Sequence, residues 1–189
     1  MKLKVVYFGS SLAGKSTNVK KLYEILRAKG MVKGDTVVME TEEQRTLFVE
    51  MFVSSINIGG YEFELKVLTT PGQFRLHPLR KVIMKGVDGL VFVVDSSRER
   101  EKVNFLVLRE TAAVLKEQGE DLMRFPVVVQ YNKRDLPDAM DIDDLQVRFN
   151  PWDTDYVPAV AIRGEGVLET FQKCIKNILV RKYARDAHI

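Results

Sequence analysis

Two glycines, a lysine and a serine near the start of the chain have the spacing of a phosphate-binding loop. Residues 9–16 read Gly-Ser-Ser-Leu-Ala-Gly-Lys-Ser, which fits the pattern G-x-x-x-x-G-K-[ST]. In such a loop, backbone N–H groups surround a phosphate, and the positive end of the following helix dipole points at the same place. Lys15 would reach the β- and γ-phosphates, and the Ser16 hydroxyl would bind Mg²⁺. The alternative is a glycine turn with an exposed lysine.

The setting of this loop supports phosphate binding. An apolar β-like run, 3–8, precedes it, and an amphipathic helical pattern, 15–28, follows it. The loop is therefore predicted to join a strand to a helix, which is the context that gives the motif its chemistry. We predict that these residues contact a nucleotide: Gly9, Ser11, Leu12, Ala13, Gly14, Lys15, Ser16 and Thr17.

A second motif selects among the nucleotides. The apolar run 125–131 is followed by Asn132-Lys133-Arg134-Asp135, which matches N-K-x-D. Guanine presents two N–H donors side by side, and the Asp135 carboxylate can accept from both, which adenine does not allow. The Lys133 stem would lie along the base, and Asn132 would tie this segment to the first loop. The alternative is a charged turn capped by Asp135.

Apolar runs alternate with helical patterns along the whole chain, in the order βαββαβαβαβα. The predicted strands are 2–8, 47–58, 61–68, 87–94, 125–131 and 156–161, and the predicted helices are 15–28, 78–85, 100–118, 141–148 and 166–183. Gly59-Gly60 indicates a two-residue hairpin, which places one antiparallel edge strand on an otherwise parallel sheet. A polar loop is expected over 30–44. This order predicts a doubly wound α/β domain with a six-stranded mixed sheet and about five flanking helices.

Composition excludes several classes of protein. The chain has 189 residues, 46% of them hydrophobic and 29% charged, with a net charge of +3. Basic and acidic residues are interspersed, so no nucleic-acid partner is predicted. No stretch of 18 apolar residues is present, so no transmembrane segment is expected. Cys174 is the single cysteine and is typical of a reducing compartment. We expect one cytoplasmic domain over 1–189, monomeric when alone.

Further segments, taken with the two motifs, resemble the MglA group of Ras-like small GTPases, prokaryotic proteins that set cell polarity and gliding in bacteria. The segments are Thr-Glu-Glu-Gln-Arg-Thr-Leu-Phe at 41–48, Thr-Pro-Gly-Gln at 70–73, Gly-Val-Asp-Gly at 86–89, Asn-Lys-Arg-Asp-Leu-Pro-Asp-Ala at 132–139, and Gly164-x-Gly166-Val167. The resemblance extends from about residue 3 to residue 180. It implies a single P-loop NTPase G domain that binds GTP or GDP with Mg²⁺.

The resemblance implies roles for residues in the two segments on either side of the predicted hairpin. Thr46 would meet Mg²⁺ and the γ-phosphate, although Thr36 and Thr41 are alternatives by residue type alone. Gln73 would orient the attacking water, and the Gly72 N–H would sense the γ-phosphate. Arg45 would act as an arginine finger supplied by the chain itself, stabilising charge on the transferring phosphoryl group. The alternative for Arg45 is a solvated loop arginine.

Two departures from the wider Ras pattern affect the site. Where most relatives have D-x-x-G, this chain has Thr69-Thr70-Pro71-Gly72, as the MglA group does, so one carboxylate behind Mg²⁺ is missing. The metal would then depend on Ser16, Thr46 and the phosphates. Where relatives have S-A-K, this chain has Val-Ala-Ile at 160–162, which retains only the Ala161 N–H for guanine O6. Asp95 could serve the metal or bond to neighbouring loops.

These residues predict a molecular switch with slow GTP hydrolysis, in which 30–46 and 70–79 change with the bound nucleotide. The resemblance implies a roadblock-type, MglB-like partner that stimulates hydrolysis, and an effector that remains unidentified. A GTP-binding scaffold with little hydrolysis is the main alternative, and a nucleotide kinase, which would show no guanine preference, is a third.

The last predicted helix carries a cationic set that could contact anionic lipid or could be a solvated face: Lys173, Lys176, Arg181, Lys182 and Arg185.

Overall fold

Strand β1 (Lys2–Gly9) lies at the centre of a seven-stranded sheet with the order β2-β3-β4-β1-β5-β6-β7. The structure is a computed structural model that describes residues 2–33, 51–71 and 77–186. The other strands are β2 (Val32–Lys33), β3 (Met51–Ile58), β4 (Tyr61–Thr69), β5 (Gly89–Asp95), β6 (Val127–Asn132) and β7 (Tyr156–Pro158). The helices are α1 (Lys15–Ala28), α2 (His77–Met84), α3 (Glu101–Glu117), α4 (Ile142–Phe149) and α5 (Val167–Asp186).

The sheet is mixed because one hairpin runs against the parallel strands. β1 pairs in parallel with β4 and β5, and β6 pairs in parallel with β5 and β7. β3 pairs with β4 in antiparallel register from Met51 opposite Leu68 to Ile58 opposite Tyr61. Gly59 and Gly60 have φ values of 59° and 86°, the positive values that a two-residue turn requires. The predicted hairpin is therefore confirmed.

Helices cover both faces of the sheet, and each face has its own hydrophobic core. On one face, α1 and α5 pack over the strands, and the predicted apolar stripe of α1, Val19, Leu22 and Leu26, is buried. On the other face, α2, α3 and α4 contribute to a second core in which the rings of Phe8 and Phe92 stack 4.7 Å apart. All seven residues of β5 are buried, as expected of a strand covered on both faces.

The predicted fold class is confirmed, with differences in detail. Within the described residues, the six predicted strands and five predicted helices are present, and the two-residue β2 at the start of the predicted loop 30–44 extends the sheet by one strand. The rest of that loop and the first four residues of the predicted strand 47–58 lie outside the described residues. The predicted strand 156–161 is too long, because the chain turns after Pro158 and Ala161 begins a short 3-10 turn, Ala161–Arg163. Six residues with predicted roles lie outside the described residues: Thr36, Thr41, Arg45, Thr46, Gly72 and Gln73.

The parallel strands bring the two motifs together. β1, β5 and β6 run side by side in the same direction, so their carboxyl ends meet at one edge of the sheet. The loop after Gly9, the carboxylate of Asp95 and the side chain of Asn132 follow from these three ends. In open α/β sheets, ligands bind at this edge.

Candidate nucleotide-binding site

The loop between β1 and α1 has the conformation that its glycines predict. Gly14 stands immediately before α1 with φ of 101°, a value that side chains disfavour. A Cβ atom at this position would overlap the Asn132 side-chain nitrogen. Glycine is therefore required here both by the backbone angle and by the close approach of Asn132. Leu12 also has a positive φ, 65°, and its side chain is 84% exposed.

Side chains from three parts of the fold hold the carbonyl groups of this loop. Lys15 donates to the Gly9 and Ser10 oxygens at 3.0 and 2.7 Å, and Arg100 donates to the Ser11 oxygen at 2.6 Å. Asn132 donates to the Ala13 oxygen at 2.8 Å, and Asn18 donates to the Gly14 oxygen at 2.9 Å. These carbonyl oxygens are thus bound by protein donors. A phosphate approaching the loop therefore meets less repulsion from partial negative charge than it would from free carbonyls.

Asn132 joins the phosphate loop to the far side of the site. Its amide nitrogen donates to the Ala13 oxygen, and its amide oxygen accepts from the Ala161 N–H at 2.9 Å. The predicted tie between N-K-x-D and the phosphate loop is therefore present. The contact of the Ala161 N–H with guanine O6 stays a prediction, and it would have to share this donor with Asn132.

Asp95 is bound by its neighbours in the protein. Its carboxylate accepts from the Lys133 ammonium at 2.6 Å and from the Ser97 hydroxyl and N–H at 2.5 and 3.1 Å. Burial alone raises the pKa of Asp95, but the hydrogen bonds from Lys133 and Ser97 outweigh burial and hold this pKa below its usual range. This geometry favours the bonding role of Asp95 over a role as metal ligand.

Asp95 should make the stability of the fold depend on pH in the acid range. Because its folded pKa lies below the unfolded value, its contribution is complete above about pH 4 and is lost as pH falls through the folded pKa. We expect Asp95→Asn to lower the free energy of unfolding at pH 7 by roughly 1.5–3 kcal/mol, the value of a hydrogen bond to a charged group. Chemical denaturation at several pH values measures both effects.

The control for this experiment is Asp138→Asn, which changes an exposed carboxylate in the same region. The Asp95 variant should lose less stability than the wild type between pH 5 and pH 3, whereas the Asp138 variant should follow the wild type. Parallel pH curves for all three proteins would contradict the assignment.

A cavity of about 330 Å³ lies between the phosphate loop and the N-K-x-D segment. It is lined by Leu12, Gly14, Thr17, Asn132, Lys133, Asp135, Leu136, Val160, Ala161 and Ile162. Seven of these were predicted nucleotide contacts. Leu136, Val160 and Ile162 were not, although each adjoins a predicted residue in sequence. Apolar walls with a few polar groups suit a flat aromatic base.

The described residues fit Mg²⁺ only in part. Ser16 is exposed in the first turn of α1, while Thr69, at the position of the missing carboxylate, is 1% exposed at the end of β4. Within the described ranges, no group of three or more Asp, Glu, His or Cys side chains could hold a metal. Mg²⁺ commonly binds through phosphate oxygens, water and one or two protein ligands. Such a site would use the Ser16 hydroxyl here, and Thr46 lies outside the described residues.

Three of the five predicted cations of α5 form ion pairs, and the side chain of Arg185 lies outside the described residues. Lys173 pairs with Glu169 at 3.1 Å, Arg181 with Glu120 at 2.5 Å, and Lys182 with Asp88 at 2.7 Å. This pairing favours a solvated polar face over a lipid-binding one. Among the described helices, none is long and apolar enough to span a membrane.

The mixed sheet, the phosphate loop after β1 and the N-K-x-D segment after β6 define a P-loop G domain, the class that binds guanine nucleotides. Residues 1–178 match the ADP-ribosylation factor family. The chain belongs to this family of small GTPases.

Similarity to individual proteins agrees with this family assignment. The chain is 40% identical over 177 residues to the mutual gliding-motility protein MglA of Myxococcus xanthus, which covers 93% of this chain and 90% of that protein. It is 32% identical over 118 residues to human ADP-ribosylation factor-like protein 4C, covering 59% of each chain. It is 30% identical over 120 residues to human ADP-ribosylation factor-like protein 4A, covering 59% of this chain and 56% of that protein. The chain is therefore an MglA-like small GTPase.

Proposed function

We propose that this chain is a cytoplasmic molecular switch, a single G domain over residues 1–189, that binds GTP and GDP with Mg²⁺. The observation that carries the proposal is the pair of hydrogen bonds made by the Asn132 side chain. They join the Ala13 oxygen of the phosphate loop to the Ala161 N–H beside the base cavity. A ligand that has both phosphates and a purine base would contact both sides of this link. Membership of the ADP-ribosylation factor family of small GTPases supports guanine as the base.

In this proposal the chain hydrolyses GTP slowly when alone. Lys15 contacts the phosphates, Gln73 orients the attacking water, and Arg45 stabilises the charge that develops on the transferring phosphoryl group. A roadblock-type, MglB-like partner would accelerate hydrolysis by placing Arg45 and Gln73. Residues 30–46 and 70–79 would differ between the GTP and GDP forms, and an effector would read this difference.

Similarity to the mutual gliding-motility protein MglA, at 40% identity, supports a role in polarity or motility. The first experiment is a titration with GTP, GDP and ATP, with and without Mg²⁺. We expect tight binding of both guanine nucleotides, at least about 100-fold weaker binding of ATP, and a stronger Mg²⁺ effect on GTP than on GDP. Equal affinity for ATP and GTP would contradict the proposal.

Arg45 should matter for hydrolysis and not for binding. We expect Arg45→Ala to reduce the rate of partner-stimulated hydrolysis by about 10³ to 10⁵, the range for arginine fingers, because the guanidinium neutralises charge in the transition state. Single-turnover hydrolysis with the partner measures the rate, and a parallel GTP titration checks affinity. Arg27→Ala, which removes an exposed arginine on α1, is the control. A variant as fast as the wild type would show that Arg45 is a solvated loop residue.

The second candidate is a GTP-binding scaffold with little hydrolysis. One observation favours it: the buried Thr69 stands where a carboxylate would support Mg²⁺. Phosphate release measured with and without a roadblock-type partner separates the two functions. Release that stays at the background rate in both conditions, with GTP bound, would favour the scaffold.

A further inference from the structure

Two buried amide side chains bind each other, and one of them also bonds to Gly14, which lines the nucleotide cavity. Asn18 of α1 donates to the Gln130 amide oxygen at 2.7 Å, and Gln130 of β6 donates to the Asn18 amide oxygen at 2.8 Å. Both side chains are fully buried. They lie 112 positions apart in the sequence, so this reciprocal pair is a contact between the first helix and the strand that leads into N-K-x-D.

The pair is the middle of a longer chain of hydrogen bonds. At one end, Asn18 donates to the Gly14 oxygen at 2.9 Å, within the phosphate loop. At the other end, Gln130 donates to the Thr170 hydroxyl at 2.9 Å, and that hydroxyl donates to the Gly166 oxygen at 2.7 Å. The chain of bonds therefore starts at the phosphate loop and ends at the segment that follows the Ala161–Arg163 turn.

Every side-chain donor in this hydrogen-bond network has an acceptor. Each amide nitrogen has two N–H groups, and both groups of Asn18 and both groups of Gln130 are used, as is the Thr170 hydroxyl. A buried network that is fully satisfied is rigid and specifies one arrangement of the elements it joins. An apolar core could fill the same volume without that directional constraint.

The segment at the far end belongs to the wall of the base cavity. Val160, which lines the cavity, lies outside the network but donates its N–H to the Glu165 oxygen at 3.1 Å, next to Gly166. The Gly166 backbone also packs closely on Pro158 and Ala159, which lead into this wall. Displacing Gly166 would therefore shift the wall of the cavity.

We propose that Asn18, Gln130 and Thr170 are positioning residues that hold the phosphate loop and the base-binding wall at the spacing a guanine nucleotide requires. This inference rests on the proposed guanine-nucleotide site. The network acts in parallel with Asn132, because both connect a phosphate-loop carbonyl to the segment 160–166. Asn132 lines the cavity, whereas the three network residues do not. Neither Asn18 nor Gln130 lines the cavity, so their effect on the nucleotide passes through the elements that they join.

The test replaces the amide pair with apolar side chains of similar shape, in the double variant Asn18→Leu/Gln130→Met. Each single variant leaves one buried amide without its partner and should lower the thermal unfolding midpoint clearly. The double variant should recover most of this loss, because replacing both partners with apolar groups can be nearly neutral. The readout is the affinity for GDP and for inorganic pyrophosphate, together with the rate of GDP dissociation.

We expect the double variant to bind GDP about tenfold more weakly, a change of about 1.4 kcal/mol, and to release it faster. Its affinity for pyrophosphate should fall by less, by about threefold or about 0.6 kcal/mol at most, because pyrophosphate is affected only through the lost side-chain bond to the Gly14 oxygen, and the Asn18 backbone N–H still donates to that oxygen. Unchanged GDP binding in a stable double variant would show that the network serves only the fold. Equal losses for GDP and pyrophosphate would show that it shapes the phosphate loop and does not set the spacing.

Thr111→Val is the matched control, since Thr111 is a buried hydroxyl on α3 that bonds to its own helix at the Val107 oxygen. It should leave both ligands unaffected. If the double variant does not fold, Thr170→Val replaces it and should weaken GDP binding about threefold, or about 0.6 kcal/mol, with pyrophosphate unchanged; an unchanged GDP affinity would overturn the proposal. Failure of the wild type to bind GDP would instead reject the proposed function.

Discussion

Asp135→Asn is expected to lower the affinity for GTP and GDP by about 10² to 10⁴. The Asp135 carboxylate lies at the base cavity and would accept from two adjacent N–H donors of guanine. Each hydrogen bond to a charged group contributes about 1.5–3 kcal/mol, and each 1.4 kcal/mol is tenfold in affinity. Asparagine would also turn an N–H group toward the exocyclic amine, so one bond is replaced by a repulsive contact.

The same variant should prefer a different base. Xanthine has a carbonyl where guanine has its exocyclic amine, and the amide introduced by Asp135→Asn could donate to that oxygen while accepting from the ring N–H. Titrations with GDP and XDP should therefore show affinity for XDP rising as affinity for GDP falls. Asp138→Asn, three residues away and exposed, should change neither. If the Asp135→Asn variant kept the wild-type affinity for GDP, Asp135 would not be a contact of the base.

Gly14→Ala is expected to abolish measurable nucleotide binding and to destabilise the fold. The methyl group would overlap the Asn132 side-chain nitrogen, and that amide cannot move without breaking its bonds to the Ala13 oxygen and the Ala161 N–H. The backbone angle of 101° adds roughly 1–2 kcal/mol of strain for a residue with a side chain. We expect a loss of about 2–4 kcal/mol in the free energy of unfolding, by strain and lost bonds together.

Gly119→Ala is the control that separates backbone strain from the overlap with the Asn132 side chain. Gly119 also has a positive φ, 78°, but an added Cβ would have no heavy atom within 4 Å. The Gly119→Ala variant should lower the free energy of unfolding only by the cost of backbone strain, and it should bind GDP as the wild type does. Denaturant unfolding and GDP titration of the two variants make the comparison. Equal stability losses with intact GDP binding would mean that Asn132 moves aside without consequence.

Much of the fold and the two ends of the site could be predicted, because the signals are local. The phosphate loop is a strand, a glycine-rich turn and a helix in direct succession, and N-K-x-D directly follows an apolar strand. The hairpin needs only Gly59-Gly60 between two β-rich runs. In each case the physical cause lies within a few residues of its effect.

The remaining features depend on contacts between distant parts of the chain. Nothing near Arg100 indicates that it binds the Ser11 oxygen, 89 positions away. The pairing of Asn18 with Gln130 is equally remote from either local pattern, since an asparagine on the buried side of an amphipathic helix has no visible partner in sequence. The predicted strand 156–161 extends beyond the observed one because Val157 to Ala161 is apolar throughout, whereas in the structure the chain turns at Ala161, whose N–H bonds to Asn132.

The bonds to the phosphate-loop carbonyls also bear on the thermodynamics of binding. Ordering a loop around a ligand normally consumes conformational entropy, about 0.5–1.5 kcal/mol for each side chain that becomes fixed. Here Arg100, Asn132 and Asn18 hold that loop through contacts within the protein. Association at the phosphate end should therefore resemble docking onto a rigid surface, with a small entropic penalty and a heat-capacity change set mainly by desolvation of the base cavity.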